Sequence, residues 1–339
     1  MTTTSPHSFM RRETMECADA VERLWSRSGT AIAKAGDLLR DLDPPFVALC
    51  ARGSSDHAAS FFKYACEMQL GLPVVSMGPS IASVYQTPLR LKGAVMLLIS
   101  QSGRSPDLLA MAKSAQAGGA KVIALVNDAA SPAAELADLA IPLEAGPEKS
   151  VAATKSCLSS MAASLGILAA WSRNAALQSA LSQMPADLRA AIAHDWAGMV
   201  EALTPASSAL VIGRGIGLPI AMEAALKLKE TSALHAEPYS AAEVLHGPIE
   251  IVHDGFPVLM FRQNDAAGAS LDRCAKALKA AGAKVLVAGA DLPVTRTAHP
   301  ATELIGAMAS CYLTIERLSR ARGYDPDNPR LLKKVTETV

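Results

Sequence analysis

The chain has 339 residues, half of them hydrophobic, with 32 basic against 32 acidic side chains. At about 100–200 residues per domain this length implies two domains, and the apolar content excludes wholesale disorder. Zero net charge argues against a nucleic-acid binder that works through bulk charge, and no apolar run reaches the roughly 18 residues of a membrane span.

The first thirteen residues, MTTTSPHSFMRRE, have no apolar core after their charges, so no secretory signal is expected. Residues 10–40 read as helix around Leu24, Ile32, Leu38 and Leu39, weakened by Gly36 and stopped by Pro44 and Pro45. Phe46–Cys50 reads as a buried strand, followed by a Gly-Ser turn and a helix. Leu72–Met77, Ala94–Ile99 and Lys121–Val126 are further strands, and a helix running to Ala117 follows the third. The alternation of short strand, turn and helix predicts an α/β fold with a parallel sheet. Leu143–Ser150 is expected to be loop, Val151–Trp171 helix, and Leu177–Leu203 a second helical stretch.

The second half repeats this grammar. ALVIGRGIG at 209–217 echoes ALCARGSS at 48–55, Pro257–Phe261 echoes 94–99, and AGAKVLVAGAD at 281–291 echoes GGAKVIALVND at 118–128. Offsets of 161 to 163 residues point to an internal duplication. The expected division is an N-terminal helical segment at 1–45, α/β domains at 46–175 and 200–325, and a tail at 326–339. Cysteines 17, 50, 66, 157, 274 and 311 form no CxxC pair, and the histidines are scattered. Buried thiols in a reducing, cytoplasmic setting are expected, with no metal site.

Four segments invite a chemical reading. Ser100-Gln-Ser-Gly-Arg-Ser-Pro-Asp107 follows a strand and opens a helix: Ser105 suits the N-cap, Pro106 the first turn, and Ser100 and Ser102 add hydroxyls beside free N–H groups. An ordinary capped loop and a phosphate site both fit this pattern. Arg52-Gly-Ser-Ser-Asp56 is a second hydroxyl-rich turn, and in a parallel sheet both turns lie at the carboxyl edge, where ligands bind. GRGIGLP at 213–219 has Leu218 where a dinucleotide fingerprint needs its third glycine, so that reading is set aside. Glu223, Lys227 and Glu230 share one helix face, either as a solvated stripe or as proton-transfer machinery. His235, Glu237, Tyr239, Glu243 and His246 crowd the segment after it, which reads as loop. In the tail, Arg330, Lys333 and Lys334 place cations wherever it docks.

Together these segments resemble the tandem sugar isomerase (SIS) domains of phosphosugar-isomerising enzymes, among them the isomerase half of glutamine–fructose-6-phosphate aminotransferase. ISQSGRSPD resembles the family's phosphate loop, EAALKLKETSALHAEPYSAAEVLHGP its most specific signature, and NPRLLKKVTETV its catalytic tail. The likeness implies two doubly wound parallel-sheet domains. It implies sugar-phosphate contacts from Ser55, Ser100, Gln101, Ser102 and Ser105, and substrate lining by Val151 and Ala153. Alanine at 153 departs from the serine the family often has there, which puts substrate identity in question. Glu230 matches the base that moves a proton between C1 and C2 of the sugar. His246 matches a ring-opening group that reaches across a homodimer, Lys334 an imine-forming lysine, and Lys227 and Arg330 supporting cations. No cofactor is implied. Thr2 after the initiator Met, and a sugar domain starting within about fifty residues, lead us to expect no glutaminase. The expected activity is glucosamine-6-phosphate deamination, with a nitrogen-free aldose–ketose phosphate isomerase and a non-catalytic sugar-phosphate sensor as alternatives.

Overall fold

Strands buried on both faces need continuous apolar runs rather than alternation, and this chain supplies them at 47–50, 95–100 and 122–126. The computed structural model describes residues 7–332 and 334. In chain order the first elements are α1 (Phe9–Met15), α2 (Cys17–Leu42), β1 (Val47–Cys50), α3 (Ser54–Leu70), β2 (Val74–Ser76), α4 (Ser80–Ser83), β3 (Val95–Ser100), α5 (Pro106–Ala117), β4 (Lys121–Val126), α6 (Pro132–Leu136) and β5 (Leu139–Pro142). There follow α7 (Lys155–Ser172), α8 (Ala175–Ala191), α9 (Ala197–Leu203), β6 (Ser208–Gly213), α10 (Gly217–Ser232), β7 (His235–Ser240), two short 3-10 turns (Glu243–His246 and Pro248–Ile251), β8 (Pro257–Phe261), α11 (Gly268–Ala280), β9 (Lys284–Ala288) and α12 (Pro300–Ala321).

All strand pairs within the two sheets are parallel. The first sheet has the order β2-β1-β3-β4-β5 and the second β7-β6-β8-β9. In the first, Val47 pairs with Val95 and Leu97 with Ile123; in the second, Leu210 pairs with Val258 and Leu259 with Leu286. The two orders superpose strand for strand except at β5, which has no counterpart in the second sheet. Duplicated parallel-sheet architecture is therefore observed, as the sequence echoes predict.

Compactness divides the chain into two units. One holds the residues up to Ala18, Glu148–Thr154, and Met184 to Lys334; the other holds Asp19–Pro147 and Lys155–Gln183. The second sheet's unit has a core of Leu210, Ile212, Val258, Met260, Leu271 and Leu278. The first sheet's unit packs Met96, Leu98, Met111, Val122 and Val126.

Several element boundaries differ from the sequence reading. The first helix is interrupted at Glu16, where α1 ends and α2 begins. Gly36 does not weaken α2. A methyl group there would lie 2.6 Å from Ala170 Cβ, so the glycine permits close packing against α7. The helix expected from Val151 starts at Lys155, which leaves Val151–Thr154 in the preceding loop. The histidine-rich segment read as loop begins with a strand, β7, at the sheet edge. Its charged residues and Pro238 suit an edge strand and hide it from any search for apolar runs. All six cysteines are buried and none forms a disulfide among the described residues; burial pushes the Cys50 thiol up to about 12. No helix among the described residues is long and apolar enough to cross a membrane.

Candidate functional site

Two clusters stand out, one in each unit. In the first sheet's unit the β3–α5 connection carries the serine loop. Gly103, at φ +63°, turns the chain so tightly that a methyl group there would sit 2.1 Å from Ser131 Oγ. Ser100, buried at the end of β3, accepts the Gly103 N–H at 3.0 Å, and Ser102 Oγ accepts the Arg104 N–H at 3.3 Å. Ser105 occupies the N-cap and Pro106 the first turn, as expected, but the Ser105 side chain makes no capping hydrogen bond. Gln101, Ser102 and Ser105 are half-buried.

The β1–α3 turn lies in the same unit. Gly53, at φ +54°, directly precedes α3, Ser54 is buried, and Ser55 is half-buried in the first turn of the helix. Arg52 ties this turn to α5 through a two-pronged hydrogen bond. Its Nε and Nη2 donate to Asp107 Oδ2 at 2.9 and 2.7 Å, and Asp107 is 1% exposed. Sequence reasoning used Arg52 and Asp107 only as loop residues; their spacing of 55 positions conceals the pairing.

In the other unit α10 presents Glu223, Lys227 and Glu230 on one face, as the helical spacing predicts. The solvated-stripe reading fails here. Glu223 is fully buried and accepts the Tyr312 hydroxyl at 2.8 Å, and Lys227 is 1% exposed. Lys227 Nζ donates to Glu230 Oε2 at 2.5 Å and lies 3.6 Å from Glu223 Oε1. The Glu230 side chain keeps about a quarter of its surface open (23%). It lies at the wall of a cleft of about 690 Å³ that Tyr324, Pro329, Arg330 and Leu332 also line. The geometry is that of a carboxylate held by a buried ammonium and reachable from a cleft.

Lys334 belongs to this unit too. Its Nζ donates to the Ser150 carbonyl at 2.6 Å and lies 3.9 Å from Glu148 Oε2. Burial pushes the Lys334 ammonium below the ordinary lysine range. The charges of Glu148 and Glu13 oppose that shift, Lys227 adds to it, and Glu230 opposes it. The neutral amine is therefore reached at a lower pH than for an exposed lysine. The loop under it is polar: Thr154 N–H donates to Glu148 Oε1 at 2.9 Å, and the buried hydroxyls of Ser150 and Thr154 have no hydrogen-bond partner among the described residues. Val151 and Ala153 are half-buried in the same loop.

His246 is exposed at the end of a 3-10 turn and, among the described residues, is not part of the Glu223–Lys227–Glu230 network. Arg330 is exposed at the cleft wall, and Lys333 lies outside the described residues. In the GRGIGLP turn, Gly213 lets α10 start against the end of β6, since a methyl group there would be 2.2 Å from the Gly217 carbonyl. That turn is tied to its neighbours: Arg214 donates to Ser240 Oγ at 3.0 Å and its carbonyl accepts Gln263 Nε2 at 2.8 Å.

Comparison with known proteins places these features in a family. A family model described as the SIS domain matches residues 46–169 and 202–303. The glutamine–fructose-6-phosphate aminotransferase [isomerizing] of Zymomonas mobilis is 34% identical over 311 residues, covering 85% of this chain and 51% of that protein. The chain thus spans about half the length of such curated relatives. Among solved structures, a candidate phosphosugar isomerase from Silicibacter pomeroyi is 46% identical with a TM-score of 0.91, covering 95% of this chain and all of that one. The glucosamine-6-phosphate deaminase of Thermotoga maritima, at 19% identity, shares the fold with a TM-score of 0.80 over 98% of this chain and all of that one.

Proposed function

This chain belongs to the SIS domain family, and from that premise we propose that it is an amino-sugar-phosphate deaminase. The reaction is glucosamine 6-phosphate plus water giving fructose 6-phosphate plus ammonia. The observation that carries the reading is Glu230: a carboxylate fixed by a fully buried lysine yet open to a cleft, as a proton-transfer base requires. The name of a 34%-identical relative, a fructose-6-phosphate aminotransferase, supports a hexose 6-phosphate as the substrate class.

In this proposal the Ser100–Ser105 loop, with Ser55, holds the sugar phosphate with hydroxyl and backbone N–H groups and fixes one end of an open-chain sugar. Glu230 carries the C2 proton to C1, and the amine gives up one proton to the C1 oxygen, so that the C1 carbonyl becomes CH2OH as C2 becomes an imine. Water adds at C2 and ammonia leaves, giving the ketose phosphate. Lys227 holds Glu230 in place through its hydrogen bond. Lys334 condenses reversibly with a ketose carbonyl, losing water, when its amine is neutral. The imine-forming fraction therefore grows as pH rises through the lowered Lys334 value. His246 assists ring opening in the partner protomer of a homodimer, and its exposure suits that role.

The test is ammonia release from glucosamine 6-phosphate, with galactosamine 6-phosphate and fructose 6-phosphate alongside. We expect Glu230→Gln to lose about 10²–10⁴-fold in rate. Solvent deuterium entering a sugar phosphate without ammonia would replace the reading with a plain isomerase, and silence in both assays would leave a sensor. Mixing Glu230→Gln with His246→Ala subunits should restore part of the activity; no recovery would remove His246 from the partner's site.

A further inference from the structure

The loop beneath Lys334 is held from an unexpected direction. Helix α1 precedes both SIS segments, and nothing in its sequence marks it as functional. Yet it buries an acid, Glu13, which is 4% exposed. The Glu13 carboxylate accepts the Lys149 N–H through Oε1 and the Ser150 N–H through Oε2 at 3.1 Å. The carbonyl of that same Ser150 accepts the Lys334 ammonium at 2.6 Å. One residue is thus gripped on its N–H side by α1 and on its carbonyl side by the tail lysine.

Helix α1 is itself fixed. Ser8 caps it and donates to Glu316 Oε1 at 2.7 Å, and Asp327 accepts the Phe9 and Met10 N–H groups at 2.5 and 2.9 Å. The Glu13 charge is consequently delivered by a rigid element to a nearly dry place, where its field is weakly screened. Charged groups facing Lys334 are Glu148, Glu13, Lys227 and Glu230. Of these, Glu13 comes from α1 and clamps the backbone that Lys334 holds.

We propose that Glu13 is a positioning residue: it locks the Lys149–Ser150 backbone and so sets the place and reactivity of the Lys334 amine. The proposal rests on the reading of Lys334 as a reacting amine. A glutamine at 13 would turn an amide N–H₂ toward one of the two backbone N–H donors. The clamp would open and a negative charge would be lost.

The experiment is time-resolved acetylation of the full-length protein with acetic anhydride, read at each lysine by peptide mass spectrometry across a pH series. In Glu13→Gln, Lys334 should be acetylated about threefold faster or more near neutral pH, through easier access and a larger neutral fraction. Exposed Lys229 serves as the rate reference, and buried Lys155 and Lys227 must stay protected, which reports an intact fold. An unchanged or slower Lys334 rate overturns the proposal. Should the glutamine variant not fold, Glu13→Asp, which keeps the charge but shortens the reach, must show a smaller rise in the same direction; no rise overturns the proposal equally. Borohydride trapping of fructose 6-phosphate on wild-type Lys334 is run in parallel. Its failure would remove the imine role while the labelling contrast stands by itself.

Discussion

Lys227 shows at the scale of one residue how a charge survives burial. Two carboxylates face it, at 2.5 and 3.6 Å, and Tyr312 satisfies the deeper one. Removing the ammonium takes away the cation shared by the fully buried Glu223 and the cleft-facing Glu230. Lys227→Met should therefore cost about 3–5 kcal/mol in urea unfolding, against near neutrality for an exposed lysine such as Lys229. A loss below about 1 kcal/mol would mean the pair is solvated in solution. The spacing of these three residues was legible in the sequence, but their burial was not, because it depends on Tyr312, 89 positions from Glu223. Asp138 gives a second test. Burial pushes its carboxyl up, but Lys121, the Val122 N–H and Gln116 more than reverse this and hold it below the usual aspartate range. Its stabilisation is present above the unfolded-state value and is lost as pH falls through the depressed one. Asp138→Asn should thus cost about 1–2 kcal/mol at pH 7 and progressively less in acid.

Helix α12 carries the clearest consequence at the scale of elements. It is buried along nearly its whole length and starts at His299, whose ring nitrogen Nδ1 accepts the Ala301 N–H at 3.2 Å. Only a neutral imidazole accepts this bond, and burial pushes the His299 value below 6.5. The unfolded chain binds the proton first, so stability is complete above about 6.5 and declines as pH falls toward the lowered folded value. His299→Asn should keep the cap and flatten that part of the stability–pH curve; an unchanged curve would show that the ring does not govern it. Gly36 offers the opposite case, since alanine is the better helix former. Because a Cβ there would strike Ala170, Gly36→Ala should destabilise by about 1–3 kcal/mol in spite of propensity. The buried strands were readable from apolar runs alone. Strands β5 and β7 were not, since Leu139–Pro142 is short and His235–Ser240 is polar, and only pairing with β4 and β6 makes them strands.

For the molecule as a whole, the duplicated sheets follow the sequence echoes, whereas the make-up of the compact units does not. Residues up to Ala18 and Glu148–Thr154 belong with 184–334, so the stretch of chain after residue 183 does not by itself contain a complete unit. A fragment covering 184–339 lacks α1, which packs on α12, and the loop that Glu13 clamps. It should unfold without a single cooperative transition in urea, or with a midpoint well below that of the full chain. A fragment as stable as the whole would contradict the division. The same arrangement bears on synthesis. Ser8 leaves the ribosome well before its partner Glu316, which lies 308 positions later. At roughly 5–20 residues per second, the first helix waits tens of seconds for its counterpart. During that interval the face of α1 that packs on α12 has nowhere to dock, so this unit closes only after α12 has been made.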